Sequence, residues 1–275
     1  HAALQATEID IGNQASDHLA LGALTITSNG SVEIHEDGSS TDPDTLLVGS
    51  NSAASLRIVS DGSIMLADGA TITGVDLIDL DADGTGIYMH DGSQLTVEQG
   101  AVHLTATGTT AAQIELSHIT AGPSARIEIV ASGSILDATA DEAANIDAPT
   151  GSLLLRSLTG GIGSVADDLG IDVQNLAFDA GAAEFGIVNV SDLAGGLRID
   201  AASRAGAGAN ITAHGPLTIA ADISLGASST FTAGNSSLAG DNLTIENGAA
   251  VVLNAAAAGA LVFNAGDDIA FRDGG

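Results

Sequence analysis

The sequence predicts an all-β fold, a right-handed parallel β-helix (β-solenoid) of about a dozen coils. Short alternations of aliphatic and polar residues recur along the chain, which is the period of a half-buried strand. The strands recur roughly every 18–26 residues, a spacing at which each coil is too thin to bury a core alone. Examples are Leu24-Thr-Ile26, Leu56-Arg-Ile58, Leu95-Thr-Val97, Ile127-Glu-Ile129, Leu197-Arg-Ile199, Leu217-Thr-Ile219 and Leu243-Thr-Ile245.

The composition favours this narrow solenoid over a sandwich of two sheets. Hydrophobic residues make up 45% of the chain but aromatic residues only 2%, and Trp is absent. A sandwich of this size usually packs large rings between its sheets. The alternative is an antiparallel β meander or sandwich, because dipeptides such as Asn29-Gly30 are strong hairpin signals. The segment from Leu24 to Ile34 has the pattern of such a hairpin.

The chain is predicted to be a single solenoid segment, residues 1–275, of a longer repetitive protein. It begins at His1 without a signal peptide and ends in a turn-like Asp273-Gly-Gly275, and neither end carries an obvious cap. A seam between repeat subtypes is expected near residues 137–151, where Ala, Asp and Glu replace strand residues and Pro149 occurs.

The charge of the chain excludes several classes of partner. The net charge is −29, from 35 acidic residues against six Arg, with no Lys. Such a surface repels nucleic acid and anionic membranes. No run of 18 apolar residues occurs, so we expect no membrane insertion. Cys is absent, which excludes disulfides and thiolate chemistry.

One acidic segment resembles the start of a calcium loop. Asp79, Asp81 and Asp83 place carboxylates at alternate positions before Gly84, and Ca²⁺ prefers such oxygen ligands. We take these three residues as candidate Ca²⁺ ligands, and Ca²⁺ is the single cofactor considered. An EF-hand needs Glu at the twelfth position, where this chain has His90. The alternative is a solvated acidic turn.

No catalytic constellation is evident, and the protein is predicted not to be an enzyme. A carbohydrate-active β-helix is the alternative, since a glycosidase needs only two carboxylates roughly 5–10 Å apart. Against it, sugars usually stack on aromatic platforms, and Tyr88 is the only Tyr. An enzyme would therefore require carboxylates that converge in one groove.

Pairs of Thr two residues apart raise the possibility of an ice-binding face. Such a face needs the pairs in consecutive coils on one flat surface. Their irregular spacing argues against it, and Thr is in any case a favoured strand residue. The pairs are Thr25-Ile-Thr27, Thr71-Ile-Thr73, Thr105-Ala-Thr107 and Thr230-Phe-Thr232.

Residues 150–200 carry a family resemblance. A strand, Leu153–Leu155, runs into Thr159-Gly-Gly-Ile-Gly163, and a Leu-rich run and the strand Gly186-Ile-Val-Asn-Val190 follow. This order resembles the repeats of filamentous-haemagglutinin-like and other large repetitive bacterial surface proteins. The resemblance implies a secreted, cell-surface location and a structural role in adhesion, an extracellular fibre, a biofilm matrix or a surface layer. The expected partners are surface glycans or other copies of the protein, and a cation-dependent matrix protein is a further alternative.

Overall fold

The fold is a parallel β-solenoid of about ten turns. A computed structural model describes residues 2–6, 9–11, 23–36, 44–108, 111–139, 143–181, 186–234, 240–254 and 259–272. Within these ranges the secondary structure consists of strands without any helix, and each strand pairing is parallel. The prediction of a solenoid is therefore confirmed, and the antiparallel alternative is wrong.

Two ladders of stacked strands run the length of the solenoid. Four long strands bend at a corner and contribute to both ladders: β6 (Ser50–Ser60), β8 (Thr71–Ala82), β16 (Ile146–Ser157) and β17 (Leu169–Ala180). The other strands of the first ladder are β1 (Ala2–Ala6), β3 (Leu24–Ser28), β10 (Gln94–Val97), β13 (His118–Ala121), β18 (Val188–Asp192), β21 (Ala209–Ala213), β24 (Ser229–Ala233) and β27 (Leu261–Ala265). Those of the second are β2 (Ile9–Ile11), β4 (Ser31–Glu36), β11 (Ala101–Ala106), β14 (Arg126–Ala131), β19 (Leu197–Ile199), β22 (Leu217–Ile219), β25 (Leu243–Ile245) and β28 (Ile269–Phe271).

The remaining side of the solenoid changes its strands part-way along the chain. A third ladder closes the earlier coils and consists of β5 (Asp44–Leu47), β7 (Ser63–Leu66), β9 (Gly86–Met89), β12 (Gln113–Leu116) and β15 (Ile135–Asp137). It continues through single bridges from Ile135 to Ile162 and from Ile162 to Val188, where it joins the first ladder. A fourth ladder closes the later coils and consists of β20 (Ser203–Ala205), β23 (Ile223–Leu225) and β26 (Val251–Leu253).

The regrouping of the ladders occurs at β17. The end of this strand pairs with both β19 and β20, so that the second ladder divides in two. The region near 137–151, where the sequence predicts a seam, contains the start of β16. That strand pairs with β13 and β14 on one side and with β17 on the other.

The core follows directly from the alternation in the sequence. Leu95 and Val97 point inward and are buried, whereas Thr96 between them is only partly buried on the outer side. Inward residues of successive coils are in register, so aliphatic side chains stack in columns about 4.8 Å apart. Phe178 and Phe231 are the largest fully buried side chains of the described residues.

Asn29-Gly30 joins β3 to β4 but does not form the hairpin that the antiparallel alternative requires. β3 pairs with strands of the first ladder and β4 with strands of the second, each in a parallel sense. The turn therefore bends the chain around a corner of the coil. Parallel pairing buries the inward side of both strands against neighbouring coils, which an isolated hairpin cannot do.

Buried Asn side chains hold two of the corners together. The Oδ1 atom of Asn51 accepts a hydrogen bond from the backbone N–H of Ile26 in the preceding coil at 2.8 Å. Its Nδ2 group donates to the carbonyl of Thr71 in the following coil at 3.2 Å. Asn145 joins coils in the same way. These amides satisfy backbone groups that leave the ladders at the corners.

Candidate functional site

In the earlier coils, the outer side of the first ladder carries uncharged, mostly short side chains. We name this surface the hydroxyl face. From Gln5 to Thr120, none of its described outward residues in register is Asp, Glu or Arg; they are Gln5, Thr25, Thr27, Ser50, Ser52, Thr71, Thr73, Gln94, Thr96, His118 and Thr120. Two of the Thr-x-Thr pairs, Thr25 with Thr27 and Thr71 with Thr73, lie in this part of the face. The Thr rank that an ice-binding surface needs is interrupted by Gln94 and His118.

The outer side of the second ladder is charged, and we name it the charged face. All six Arg lie on strands of the second or fourth ladder or next to them, although they are widely separated in sequence. Arg57 binds Glu33 at 2.8 Å and Asp79 at 3.1 Å, in the coils before and after it. Arg156 and Arg204 both contact Asp179, at 3.6 and 2.8 Å. Arg57 thus reduces the repulsion between two acids that the stacking of coils brings together.

The three candidate Ca²⁺ ligands follow one another along the end of β8. Asp79 and Asp81 face outward, and Asp83 lies in the turn after the strand. Asp79 already accepts a hydrogen bond from Arg57. Burial raises the pKa of the Asp81 carboxyl, and the negative charges of Asp83 and Asp79 raise it further.

The described part of the chain contains no group of three or more His, Asp or Glu side chains arranged to hold a metal ion. Asp76 lies at the bend of β8 and Asp91 beyond β9, so neither continues the run of Asp79, Asp81 and Asp83 along the strand. The calcium site therefore stays a prediction. A melting temperature that is unchanged by Ca²⁺ and by a chelator would contradict it.

The third ladder carries the most distinctive depression on the surface. Its outward residues form one column in register, in which bulky side chains predominate: Leu46, Met65, Tyr88, Glu115 and Leu136. A groove of about 460 Å³ opens along this column. It is lined by Ser63, Met65, Thr85, Tyr88, Met89, His90, Asp91, Glu115 and Ala138. We name it the Tyr88 groove.

Hydrogen bonds fix the aromatic ring of the groove. The Tyr88 hydroxyl donates to the carbonyl of Thr85 at 3.0 Å and lies 3.2 Å from the Thr85 hydroxyl. The Thr85 hydroxyl is in turn 2.7 Å from that of the buried Ser63. The ring is thus held by its polar end, and it remains only partly buried on the outer side of β9.

The groove is acidic as well as aromatic. Glu115 is the register partner of Tyr88 in the next coil, so the two residues lie about 4.8 Å apart along the axis. Asp91 lines the same groove. His90 is at the rim, with its Nδ1 atom 3.7 Å from a carboxylate oxygen of Asp68. No Arg lines the groove. An aromatic platform beside carboxylates can bind a sugar ring or an organic cation.

The sequence singles out Tyr88 as the only Tyr but does not show that Met65, Asp91 and Glu115 line a groove with it. The available signal was the bulky residue in the middle of each strand, as in Ile64-Met-Leu66 and Ile87-Tyr-Met89. The alignment of these residues is not evident in the sequence because the coils differ in length. Met65 and Tyr88 are 23 positions apart, whereas Tyr88 and Glu115 are 27 apart.

A second, smaller cavity of about 110 Å³ is lined by Asp137, Asp167 and Asp168, among others. Asp137 accepts hydrogen bonds from Asn145 and from Thr139, so it serves the corner. Asp168 accepts one from Ser191. Partial burial and the neighbouring charges of Asp137 and Asp168 raise the pKa of Asp167. Because Asp137 and Asp168 are hydrogen-bonded to neighbouring parts of the coil, we interpret this acidic cluster as structural.

No protein-family model, no curated protein and no solved structure matches the chain. Among the described residues, no helix has the length and apolar character needed to cross a membrane.

Proposed function

We propose that the chain is a non-enzymatic structural and adhesive segment of a large secreted or cell-surface repetitive protein. The observation that carries this proposal is the pair of parallel ladders that run, among the described residues, from β1 and β2 to β27 and β28. About ten turns at about 4.8 Å give a rod of roughly 48 Å. Backbone ladders and an aliphatic core make such a rod stiff, which suits an adhesin stalk, an extracellular fibre or a biofilm matrix.

Self-association is the first partner interaction that this role implies. The edge strands of an outermost coil pair readily with a strand of another chain. We propose that copies of the protein associate end to end through the outermost coils of their solenoids. Sedimentation at increasing concentration tests this, and a monomer at all concentrations would contradict it.

Immuno-electron microscopy of the producing cells tests the structural role. An antibody against this segment is expected to label surface fibres or a coat in rows. Label that occurs only in the medium, without any on the cell surface, would contradict the proposal. Because the experiment reports location and assembly, its result does not depend on which ligand the protein binds.

A carbohydrate-active enzyme is the second candidate function, and one observation favours it. Tyr88, Asp91 and Glu115 share a groove, which is the convergence of carboxylates and an aromatic ring that such an enzyme needs. Incubation with a panel of polysaccharides, followed by measurement of reducing ends, tests this function. Activity that is lost in both Asp91→Asn and Glu115→Gln would support it, and no release from any polysaccharide would contradict it.

A further inference from the structure

We propose that the Tyr88 groove binds amino sugars with free, protonated amines in a surface polysaccharide. This proposal rests on the adhesive function proposed above and names the class of glycan. The groove combines a fixed aromatic ring with two carboxylates and lacks Arg. The ring supplies a stacking surface for the sugar, and the carboxylates supply acceptors for its ammonium group.

The geometry around Tyr88 suits a pyranose ring that carries a positive charge. The Tyr88 hydroxyl is engaged with Thr85, so the side chain offers its ring to a ligand. Met65 precedes Tyr88 in the column, and Glu115 follows it. A sugar stacked on the ring would therefore have a thioether on one side and a carboxylate on the other. Aromatic rings also attract ammonium groups directly.

Charge distinguishes this groove from the Arg-bearing clusters of the charged face. There Arg57, Arg198 and Arg204 each bind a neighbouring carboxylate. In the groove, Glu115 and Asp91 line the same depression as the ring of Tyr88, without any Arg among the lining residues. Uronic or sulfated sugars would be repelled there, and the net charge of −29 would attract a cationic polymer toward the surface.

The size of the groove suits a short stretch of sugar chain. Pockets for small ligands usually have volumes of about 300–1,000 Å³, and the groove measures about 460 Å³. It lies along a column of stacked coils, so a glycan chain can continue beyond it in either direction. Many such segments in one long protein would bind a polymer by multivalency.

The protein contains one Tyr and no Trp, so its tyrosine fluorescence reports on the groove alone. We would titrate the chain with oligomers of glucosamine and, as a matched neutral ligand, with oligomers of N-acetylglucosamine of the same length. Glucosamine oligomers are expected to change the Tyr88 emission in a saturable way at pH 6, and the acetylated oligomers are expected to have at least about tenfold weaker affinity.

Two variants separate specific from general attraction. Glu115→Gln removes one charge from the groove, whereas Glu98→Gln removes one charge from an exposed corner between the first and second ladders. Calorimetry is expected to show about tenfold weaker binding of glucosamine oligomers to Glu115→Gln and little change for Glu98→Gln. Tyr88→Leu is expected to lose binding while it keeps the circular dichroism of the folded chain.

Three outcomes would overturn the proposal. Equal affinity for both oligomers would mean that the amine is not recognised. Equal losses in Glu115→Gln and Glu98→Gln would mean that only the net charge attracts the ligand. No saturable binding of glucosamine oligomers would also overturn it, and the location of the protein in surface fibres would be unaffected by that result.

Discussion

Arg198 and Glu246 are joined across two coils by a pair of hydrogen bonds, each 2.8 Å long. Arg198 lies in β19 and is the register partner of Thr218, which in turn is the partner of Thr244. The guanidinium group therefore spans the coil of β22 to reach the carboxylate. This ion pair clamps three successive coils on the charged face.

From the Arg198–Glu246 pair we predict a lowered pKa of the Glu246 carboxyl. The hydrogen bonds from Arg198 lower the pKa of the carboxyl below its usual value of 4.5, and the charges of Arg198 and Arg272 act in the same direction. The ion pair stabilises the folded chain at pH values above the pKa that Glu246 has in the unfolded chain. This contribution is lost as the pH falls through the pKa that Glu246 has in the folded chain. Carboxyl titration by NMR should show that Arg198→Gln restores the pKa toward 4.5. Arg272→Gln should have a smaller effect, and equal effects would contradict the clamp.

Because the Asp192 carboxyl is buried, we predict that the free energy of unfolding falls as the pH rises. Its side chain is 2% exposed and lies in a core column between Ile171 and Ala213. Neither carboxylate oxygen has a hydrogen bond of good geometry within the described chain. Burial raises the pKa to about 7; the backbone of Val173 lowers it somewhat, and the charge of Asp172 raises it.

Because the folded chain binds this proton more tightly than the unfolded chain, the free energy of unfolding should decrease between about pH 4 and pH 7. Three pKa units correspond to about 4 kcal/mol as an upper bound. Asp192→Asn should therefore have a higher melting temperature than the wild type at pH 8 and a flatter pH profile. Asp147→Asn, an exposed change of equal charge, should keep the wild-type slope. A wild-type slope in Asp192→Asn would contradict the assignment.

Asn145 is predicted to be one of the most sensitive polar positions. It is fully buried, donates to the carbonyl of Ser117 at 3.2 Å and to Asp137 at 2.7 Å, and accepts from the N–H of Gly170 at 2.9 Å. Asn145→Ala should destabilise the fold by about 3 kcal/mol, since several buried groups lose their partner. Exchange of the Ile119 amide, which binds the carbonyl of residue 145, should accelerate.

Two controls sharpen this prediction. Asn145→Asp keeps an acceptor for Gly170 but places a second carboxylate beside Asp137, so its stability should improve when the solution is acidified. Gln94→Ala removes an exposed amide on the hydroxyl face and should change the free energy of unfolding only slightly. A comparable loss at both positions would mean that Asn145 does not hold the corner.

We predict that substitution by Ala lowers the free energy of unfolding by different amounts at two glycines with positive φ. Gly49 has a φ of 62° and open space around the position of a Cβ atom. Gly100 has a φ of 90°, and a Cβ there would lie 2.0 Å from the carbonyl oxygen of Asp76 in the neighbouring coil. Gly49→Ala should cost about 1 kcal/mol of backbone strain. Gly100→Ala should cost clearly more, because the coils must separate locally, and chemical denaturation of both variants measures the difference.

Local alternation was enough to predict the solenoid and the inward residues of many strands. In Leu95-Thr-Val97 and Leu217-Thr-Ile219 the aliphatic residues are buried and the Thr between them faces outward. The period of two fixes the face of each side chain once the segment is a strand. The parallel arrangement followed from the scarcity of aromatic residues and the density of strands.

The site could not be assembled from the sequence, because coil length varies. From Thr73 to its partner Thr96 there are 23 positions, but from Thr120 to Asp147 there are 27. No fixed period therefore brings Tyr88 beside Glu115 or aligns the six Arg. Asp192 and Asn145 look like surface turn residues in the sequence, and only the register shows that both are buried.

The division of the ladders at β17 constrains how this protein can grow. A coil of the earlier type offers a third-ladder strand to its neighbour, and a coil of the later type offers a fourth-ladder strand. Duplication of a coil within either group preserves every pairing, since each coil contacts only the coils next to it. A coil moved across β17 meets a neighbour without a matching strand. Gene duplication can therefore lengthen the rod on either side, while β17 keeps the two coil types in a fixed order.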